Sequence, residues 1–157
     1  MSEDTTLSVI GRSSYVSFPE LELQHIPARV DTGAKTSAIW ASGVVEEQGV
    51  LQCVLFGPDS PLYTGEVLRF ETYTTKSVKS SNGLSDERYV VQLLVVVNDH
   101  RVLSSFTLAN RSKQKFPILI GRNILRGKFI VNVQQVHTLA VDPGNQEQTT
   151  KPKGETV

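Results

Sequence analysis

Short stretches rich in Val, Ile, Thr, Tyr and Phe recur along the chain, each cut off by a polar cluster containing Gly, Pro, Asn or Asp. This patterning predicts strands near residues 6–11, 14–18, 25–31, 37–46, 49–57, 64–76, 88–98, 100–108, 117–120 and 128–133. Several joins carry turn chemistry: Glu47-Gln48-Gly49, the loop Gly57-Pro58-Asp59-Ser60-Pro61, and Asn98-Asp99 between two apolar runs. Ser81-Asn82-Gly83-Leu84 reads as a tight hairpin turn, because Asn-Gly tolerates positive φ. Helix is confined to one or two turns over 122–126, closed by Gly127. Strands spaced this closely fit a sandwich or a small barrel. The predicted layout is a flexible N-terminus over 1–5, a β domain over 6–141 and a polar, disordered tail over 142–157.

Composition narrows the function classes. Sixteen Lys and Arg balance sixteen Asp and Glu in 157 residues, which excludes a generally basic nucleic-acid binder. A single cysteine, Cys53, excludes an internal disulfide framework and a cysteine-rich zinc site. It falls on a predicted strand, as does Trp40, and both are expected in the core. The three histidines are scattered, and no apolar run approaches the roughly 20 residues that span a bilayer. The acidic start lacks the basic and apolar regions of a secretory signal, so the expected compartment is the cytoplasm, with no membrane contact.

The sharpest chemical feature is the run from Ile26 to Ile39, in which a strand leads into Asp31-Thr32-Gly33-Ala34 and a second strand leaves after Ser37. Such a turn presents a carboxylate at a strand end. Gly33 permits close backbone approach, and the Thr32 and Ser37 hydroxyls can bond neighbouring backbone. One carboxylate hydrolyses little alone, but two about 3 Å apart cannot both ionise and share a proton. One then acts as base for a water while the other polarises the carbonyl. An Asp-Thr-Gly triplet arises by chance in roughly a few per cent of chains this long, so it needs a second signal. Phe116-Pro117-Ile118-Leu119-Ile120-Gly121-Arg122-Asn123 supplies one: an apolar strand ending in Gly-Arg-Asn and entering the short helix.

Together these two motifs resemble the paired signature of the retropepsins, the single-lobed aspartic proteases. Val78-Lys79-Ser80-Ser81-Asn82-Gly83, Glu87-Arg88-Tyr89-Val90 and Leu108-Ala109-Asn110-Arg111-Ser112 narrow the resemblance to a bacterial retropepsin-like family that carries the label "ATP-dependent zinc protease". The resemblance runs from about Ala28 to Val133. It implies an all-β, closed retropepsin-like barrel with one short helix near 122–126, and a hydrolase of the aspartic peptidase type. It implies Asp31 as the catalytic residue, with Thr32, Gly33, Ala34, Ser37, Gly121, Arg122 and Asn123 supporting its loop. Lys79, Ser80, Ser81, Asn82, Gly83, Arg88 and Arg111 would contact substrate, the Asn82 hairpin serving as a flap.

The label itself finds no support in the residues. No His-Glu-x-x-His occurs, and Gly121 to Lys128 misses the phosphate-loop spacing, with Phe129 where a Ser or Thr should hold magnesium. No cofactor or metal is expected. Asn132 stands where the family commonly carries Asp, and a structural role is expected there.

Because Asp-Thr-Gly occurs once, the second carboxylate must come from another copy, which implies a two-fold homodimer. The segments near 6–18 and 128–141 are the expected interface. Lys76, Lys79, Arg88, Arg111 and Arg122 gather in the motif-bearing segments and would rim the cleft for an acidic peptide. Members of the family are associated with an ATP-grasp glutamate ligase, which by analogy suggests trimming of glutamate-rich tails. The competing reading is a catalytically inactive module with the same fold that binds a peptide or a partner enzyme.

Overall fold

The computed structural model describes residues 6–79 and 82–137. Its strands are β1 (Ser8–Ile10), β2 (Ser13–Phe18), β3 (Leu23–Val30), β4 (Ser37–Glu47), β5 (Val50–Leu55), β6 (Val67–Phe70), β7 (Thr74–Lys79), β8 (Ser85–Val97), β9 (His100–Ala109), β10 (Ile118–Ile120) and β11 (Phe129–Val131), with one helix, α1 (Arg122–Leu125), before β11. Six strands close on themselves in the order β10-β3-β2-β8-β9-β4 and back to β10. The expected closed, all-β barrel with a single short helix is therefore borne out.

Closure depends on the three residues of β10. They run parallel to β3, pairing Ile118 with Ala28 and Ile120 with Val30, and antiparallel to β4, pairing Ile118 with Ile39. Ile118 and Ile120 are fully buried, as expected of a strand bonded on both edges. Along β8 the buried residues fall at period two, Val91, Leu93, Val95 and Val97, so one face of the strand supplies the core. Phe106 on β9 meets Phe18 on β2 edge-to-face at 5.6 Å across the interior, a geometry aromatic pairs prefer. Beyond the barrel, β5 and β6 extend from β4, and β7 pairs with the first half of β8. A separate two-stranded parallel sheet joins β1 to β11.

The turn chemistry explains two of the hairpins. Gln48 and Gly49 take φ of 52° and 79° between the paired Glu47 and Val50, the positive pair a two-residue turn requires. Asn98 takes φ of 53° in the two-residue link between Val97 and His100.

Other expectations are corrected. The single strand expected over 64–76 is two, β6 and β7, separated at Glu71 to Tyr73. The β7–β8 arm is mostly polar, with Lys76, Val78 and Arg88 only half-buried and most of the alternate residues exposed, so it carried little hydrophobic alternation to mark it, and β8 begins at Ser85 rather than near 88. The last described pair of the arm is Lys79 with Ser85, and the tight turn expected at Ser81-Asn82-Gly83-Leu84 includes Ser81, which lies outside the described residues. A short 3-10 turn, Pro19–Leu21, was not expected; proline at its first position needs no N–H partner. β1 and β11 are each three residues, shorter than expected.

Cys53 is fully buried, and burial pushes its thiol up to about 11. Trp40 is only half-buried; its indole lies over Gly57, where an added Cβ would come within 2.6 Å of the ring. The flexible ends expected at 1–5 and 142–157 lie outside the described residues, as do Ser80 and Ser81.

Candidate active site

Asp31 is the first residue beyond β3, where the strand edge hands over to a turn. Its backbone N–H donates to Ile120 O at 2.9 Å, so β10 fixes the point at which the carboxylate leaves the barrel. One carboxylate oxygen, Oδ1, accepts from Gly33 N–H at 2.9 Å, and Asp31 O accepts from Ala34 N–H at 3.2 Å. This is the local bonding that favours Asp at turns. A Cβ on Gly33 would sit 3.3 Å from that same oxygen, so glycine keeps the approach open.

The Gly-Arg-Asn segment braces the loop from behind. Arg122 donates its backbone N–H to Ala34 O at 2.8 Å and a guanidinium N–H to Thr32 O at 3.1 Å. Gly121 lies so close that a Cβ there would stand 2.8 Å from the Thr36 carbonyl carbon and oxygen and 2.9 Å from Ala34 O. Only glycine fits without moving backbone.

Ser37, fully buried at the start of β4, links the two motifs through one hydroxyl. Its Oγ accepts from Gly121 N–H at 2.9 Å and donates to Asn123 Oδ1 at 2.8 Å. Asn123 Oδ1 also accepts from Ser37 N–H at 3.1 Å. The Asn123 amide donates at 2.9 Å to both Ser104 Oγ and Ser105 O on β9. The Asp31 loop, β4, β9, β10 and α1 are thus tied at one knot of polar contacts.

Basic side chains gather around Asp31. Arg111 donates Nε–H to Phe116 O at 2.9 Å. Its pKa is lowered, first by burial, then by the nearby charges of Arg29 and Arg88, with Asp31 pulling the other way. Lys76 donates Nζ–H to Thr36 Oγ1 at 2.7 Å, which ties the base of the β7–β8 arm to the loop after Asp31. Lys76 is in register with Arg88 and so shares its face of the arm, whereas Lys79 and Glu87 alternate to the other face. Arg88 meets Asp86 at 4.0 Å, a long and exposed pair that leaves most of its charge uncompensated. At the apex, Gly83 takes φ of 88° and Leu84 N–H donates to Asn82 Oδ1 at 3.1 Å.

The structure thus brings together Asp31, Thr32, Gly33, Ala34, Ser37, Gly121, Arg122 and Asn123, and places Arg88 and Arg111 in electrostatic range of one another. Lys79 is set apart on the outer face of the arm, and Ser80 and Ser81 are outside the described residues. Arg29 was missed by sequence reasoning. The signal available was its place near the end of β3, two residues before Asp31. Asn132 accepts from Gln134 N–H at 3.0 Å through Oδ1 and donates its own N–H to Ile10 O at 2.8 Å, so it shapes a turn after β11. Among the described residues, no three of His, Cys, Asp and Glu come together as metal ligands would.

A paired Asp-Thr-Gly and Gly-Arg-Asn cradle on a closed barrel invites comparison with known proteins. The family described as "Retropepsin-like aspartic endopeptidase RimB" matches residues 9–151. The chain belongs to this RimB-like family. Among the relatives of this RimB-like chain, a Desulfotalea psychrophila protein named "Probable alpha-L-glutamate ligase" is 30% identical over 142 residues. That match covers 84% of the present chain but 29% of the relative. A Shewanella pealeana protein of the same name is 30% identical over 128 residues, 79% of this chain and 28% of its own length. The chain therefore spans less than a third of these relatives. A Legionella pneumophila protein of unknown function has a crystal structure that superposes with a TM-score of 0.64 at 23% identity, covering 85% of this chain and 98% of that one. At that identity the likeness speaks to the fold. No helix among the described residues is long and apolar enough to cross a membrane.

Proposed function

We propose that the protein is a cytoplasmic aspartic peptidase in which two Asp31 carboxylates, one from each copy of a homodimer, activate the hydrolytic water. The observation that carries the reading is the cradle at Asp31: a carboxylate at a strand end, fixed by the Gly33 and Ile120 backbone and braced by Arg122 and Asn123. With the two carboxylates sharing one proton, the ionised one takes a proton from water as its oxygen attacks the peptide carbonyl. The protonated one donates to the developing oxyanion; as the C–N bond breaks, the acid that took the water's proton passes it to the leaving nitrogen, and the other carboxylate recovers its proton from an adduct hydroxyl, leaving a carboxylic acid and an amine.

The dimer reading draws on the β1–β11 sheet. Val9 and Ile130 are in register and about half exposed, at 47% and 53%, and Val133, two residues after β11, is exposed as well. Such a stripe on a two-stranded sheet suits a self-complementary contact around a two-fold axis. Within one chain, Glu87 lies on the arm face away from Lys76 and Arg88, which disfavours it as an in-chain partner for Asp31. The cluster of Arg29, Lys76, Arg88 and Arg111 favours an acidic substrate, such as a glutamate-rich tail. The ligase names of the relatives fit a protein that works alongside a glutamate ligase.

Those same names also support a second reading, in which the domain holds an acidic peptide or a ligase without cutting. Asp31→Asn separates the two in an assay on glutamate-tailed peptides. Loss of cleavage with retained peptide binding is expected, and unaltered turnover sinks the aspartic mechanism. Solution mass is expected to show a dimer, and a strict monomer at micromolar concentration counts against the shared dyad.

A further inference from the structure

Beside the middle of β4, where β9 ends, lies an open cavity of about 500 Å³, within the range of ligand pockets. It shares no residue with the Asp31 loop or with the Gly-Arg-Asn segment. Trp40, the chain's single tryptophan, is one of its walls. It alternates along β4 with the core residues Ile39 and Ala41, so its side chain leaves the barrel outward. The buried Leu108 and Ala109 line the cavity from below, and the exposed Asp59 and Asn110 stand at its rim. Asp59 is the one charged residue in the lining, and among the described residues it makes no ion pair and no side-chain hydrogen bond.

The backbone around Trp40 is irregular in ways that hold the ring in place. β4 slips register against β5 between Ser42 and Val45, with Gly43 at φ of 58°, the mark of a bulge that re-aims side chains. Phe56 is buried yet takes φ of 67°, an outlier for a bulky residue. Two bonds keep it there: its N–H donates to Trp40 O at 2.8 Å, and its carbonyl accepts from Ser42 Oγ at 2.7 Å. The Trp40 N–H is fixed as well, donating to Pro117 O at 2.9 Å. Gly57 then passes against the indole, where any Cβ would collide with it. Strained backbone persists only where its surroundings over-determine it, and such places cluster at ligand sites. The indole is set before any ligand arrives.

We propose that this cavity is a docking site for an arginine side chain of a protein partner, its guanidinium stacking on Trp40 and pairing with Asp59. The lining decides the charge of the ligand: one carboxylate, no cation, and the aromatic ring that attracts cations most strongly. Arginine suits it better than lysine, because a planar guanidinium can cover a ring while its N–H fork reaches a carboxylate. Leu108 and Ala109 offer apolar surface to the methylenes of the stem. The site also reaches the cleft. Asn110 and Ser112 line the cavity, and Arg111 between them feels the charges of Arg29, Arg88 and Asp31 on the other side. A partner seated here holds the loop that carries Arg111. Occupancy of the cavity does not depend on the peptidase reading, so it is tested by binding.

Trp40 emission reads the site directly, since no other tryptophan contributes. Full-length protein is titrated with acetylated, amidated tetra-arginine at low salt, where ion pairs are least screened, and the Asn110 and Ser112 amides are followed by NMR. A saturable change in emission, with shifts at both amides, is expected. Asp59→Asn is expected to weaken binding about fivefold, the order of one well-formed ion pair near the surface. Tetralysine is expected to bind about threefold more weakly than tetra-arginine. Asp99→Asn, in the β8–β9 turn at the opposite end of β9 from Ala109, removes the same charge and is expected to leave affinity unchanged. Asp31→Asn is expected to leave it unchanged too. Far-ultraviolet circular dichroism and thermal unfolding verify that each variant is folded. Emission that stays constant up to about 10 mM peptide, a range that covers weak docking, overturns the proposal. So does an equal loss in Asp59→Asn and Asp99→Asn, tetralysine that binds as tightly as tetra-arginine, or binding that is lost in Asp31→Asn.

Discussion

Ser37→Ala removes one oxygen from the centre of the site and has a cost that follows from its contacts. The hydroxyl accepts from Gly121 N–H at 2.9 Å and donates to Asn123 Oδ1 at 2.8 Å, and the residue is wholly buried. Asn123 Oδ1 keeps a second donor in Ser37 N–H, so its loss is modest, on the order of 1 kcal/mol. Gly121 N–H has no such reserve. Left unsatisfied in the interior, it costs about 1–3 kcal/mol, and the whole change comes to roughly 2–4 kcal/mol. In a chain of this size that corresponds to a melting temperature lower by roughly 4–16 °C. Denaturant unfolding at fixed protein concentration is the direct assay, with the loss read from the midpoint at unchanged slope. Ser42→Ala is the reference, because Ser42 only donates, to Phe56 O at 2.7 Å; it is expected to cost about 0.5–1.5 kcal/mol. If Ser37→Ala costs no more than Ser42→Ala, the hydroxyl is not the link between the two motifs and the argument fails.

Two further outcomes follow from packing and burial. Gly121→Ala forces a methyl against the Thr36 and Ala34 backbone and is expected to destabilise by about 1–3 kcal/mol or more by thermal unfolding, whereas Gly43→Ala, with nothing near its Cβ, suffers only the strain of positive φ. The Cys53 thiol, raised to about 11 by burial, is about one part in a thousand thiolate at pH 8, so a thiol reagent is expected to label it only as fast as the chain unfolds. The same shift fixes a sign. The folded state holds the proton that the unfolded state loses, so this contribution is intact below pH 9 and fades as pH rises toward about 11. Rapid labelling of folded protein at pH 8 contradicts both statements.

The parts of this structure that were legible in the sequence are those where one residue type is demanded by local geometry. Asp31, Gly33 and Gly121 are such positions: a turn carboxylate, an open approach and a contact too close for any Cβ. The strands with a dry face were legible for the same reason, since burial at period two leaves a pattern. The β7–β8 arm left little, because one face is exposed and the other only half-buried, and Thr, Lys and Ser satisfy such a strand as well as a loop. The basic cluster was legible only in part. Arg88 and Arg111 fell inside recognisable motifs, but Arg12, Arg29 and Lys115 meet only once β2, β3 and the segment before β10 are folded together. Asn132 illustrates the reverse: a departure at a single position proves to be a turn residue whose amide oxygen does what a carboxylate oxygen would do.

The three residues of β10 carry a consequence for the order of events as the chain folds. They bond to β3 on one edge and β4 on the other, yet lie far along the chain from both. Bringing such distant segments together costs loop entropy before any contact repays it, so their docking belongs to the slow, late part of folding. The same three residues supply the Ile120 carbonyl that fixes Asp31 and deliver Gly121 and Arg122 to its loop. A chain in which β10 has not docked therefore has neither a closed barrel nor a braced carboxylate. Compactness can precede that step; the assembled site cannot.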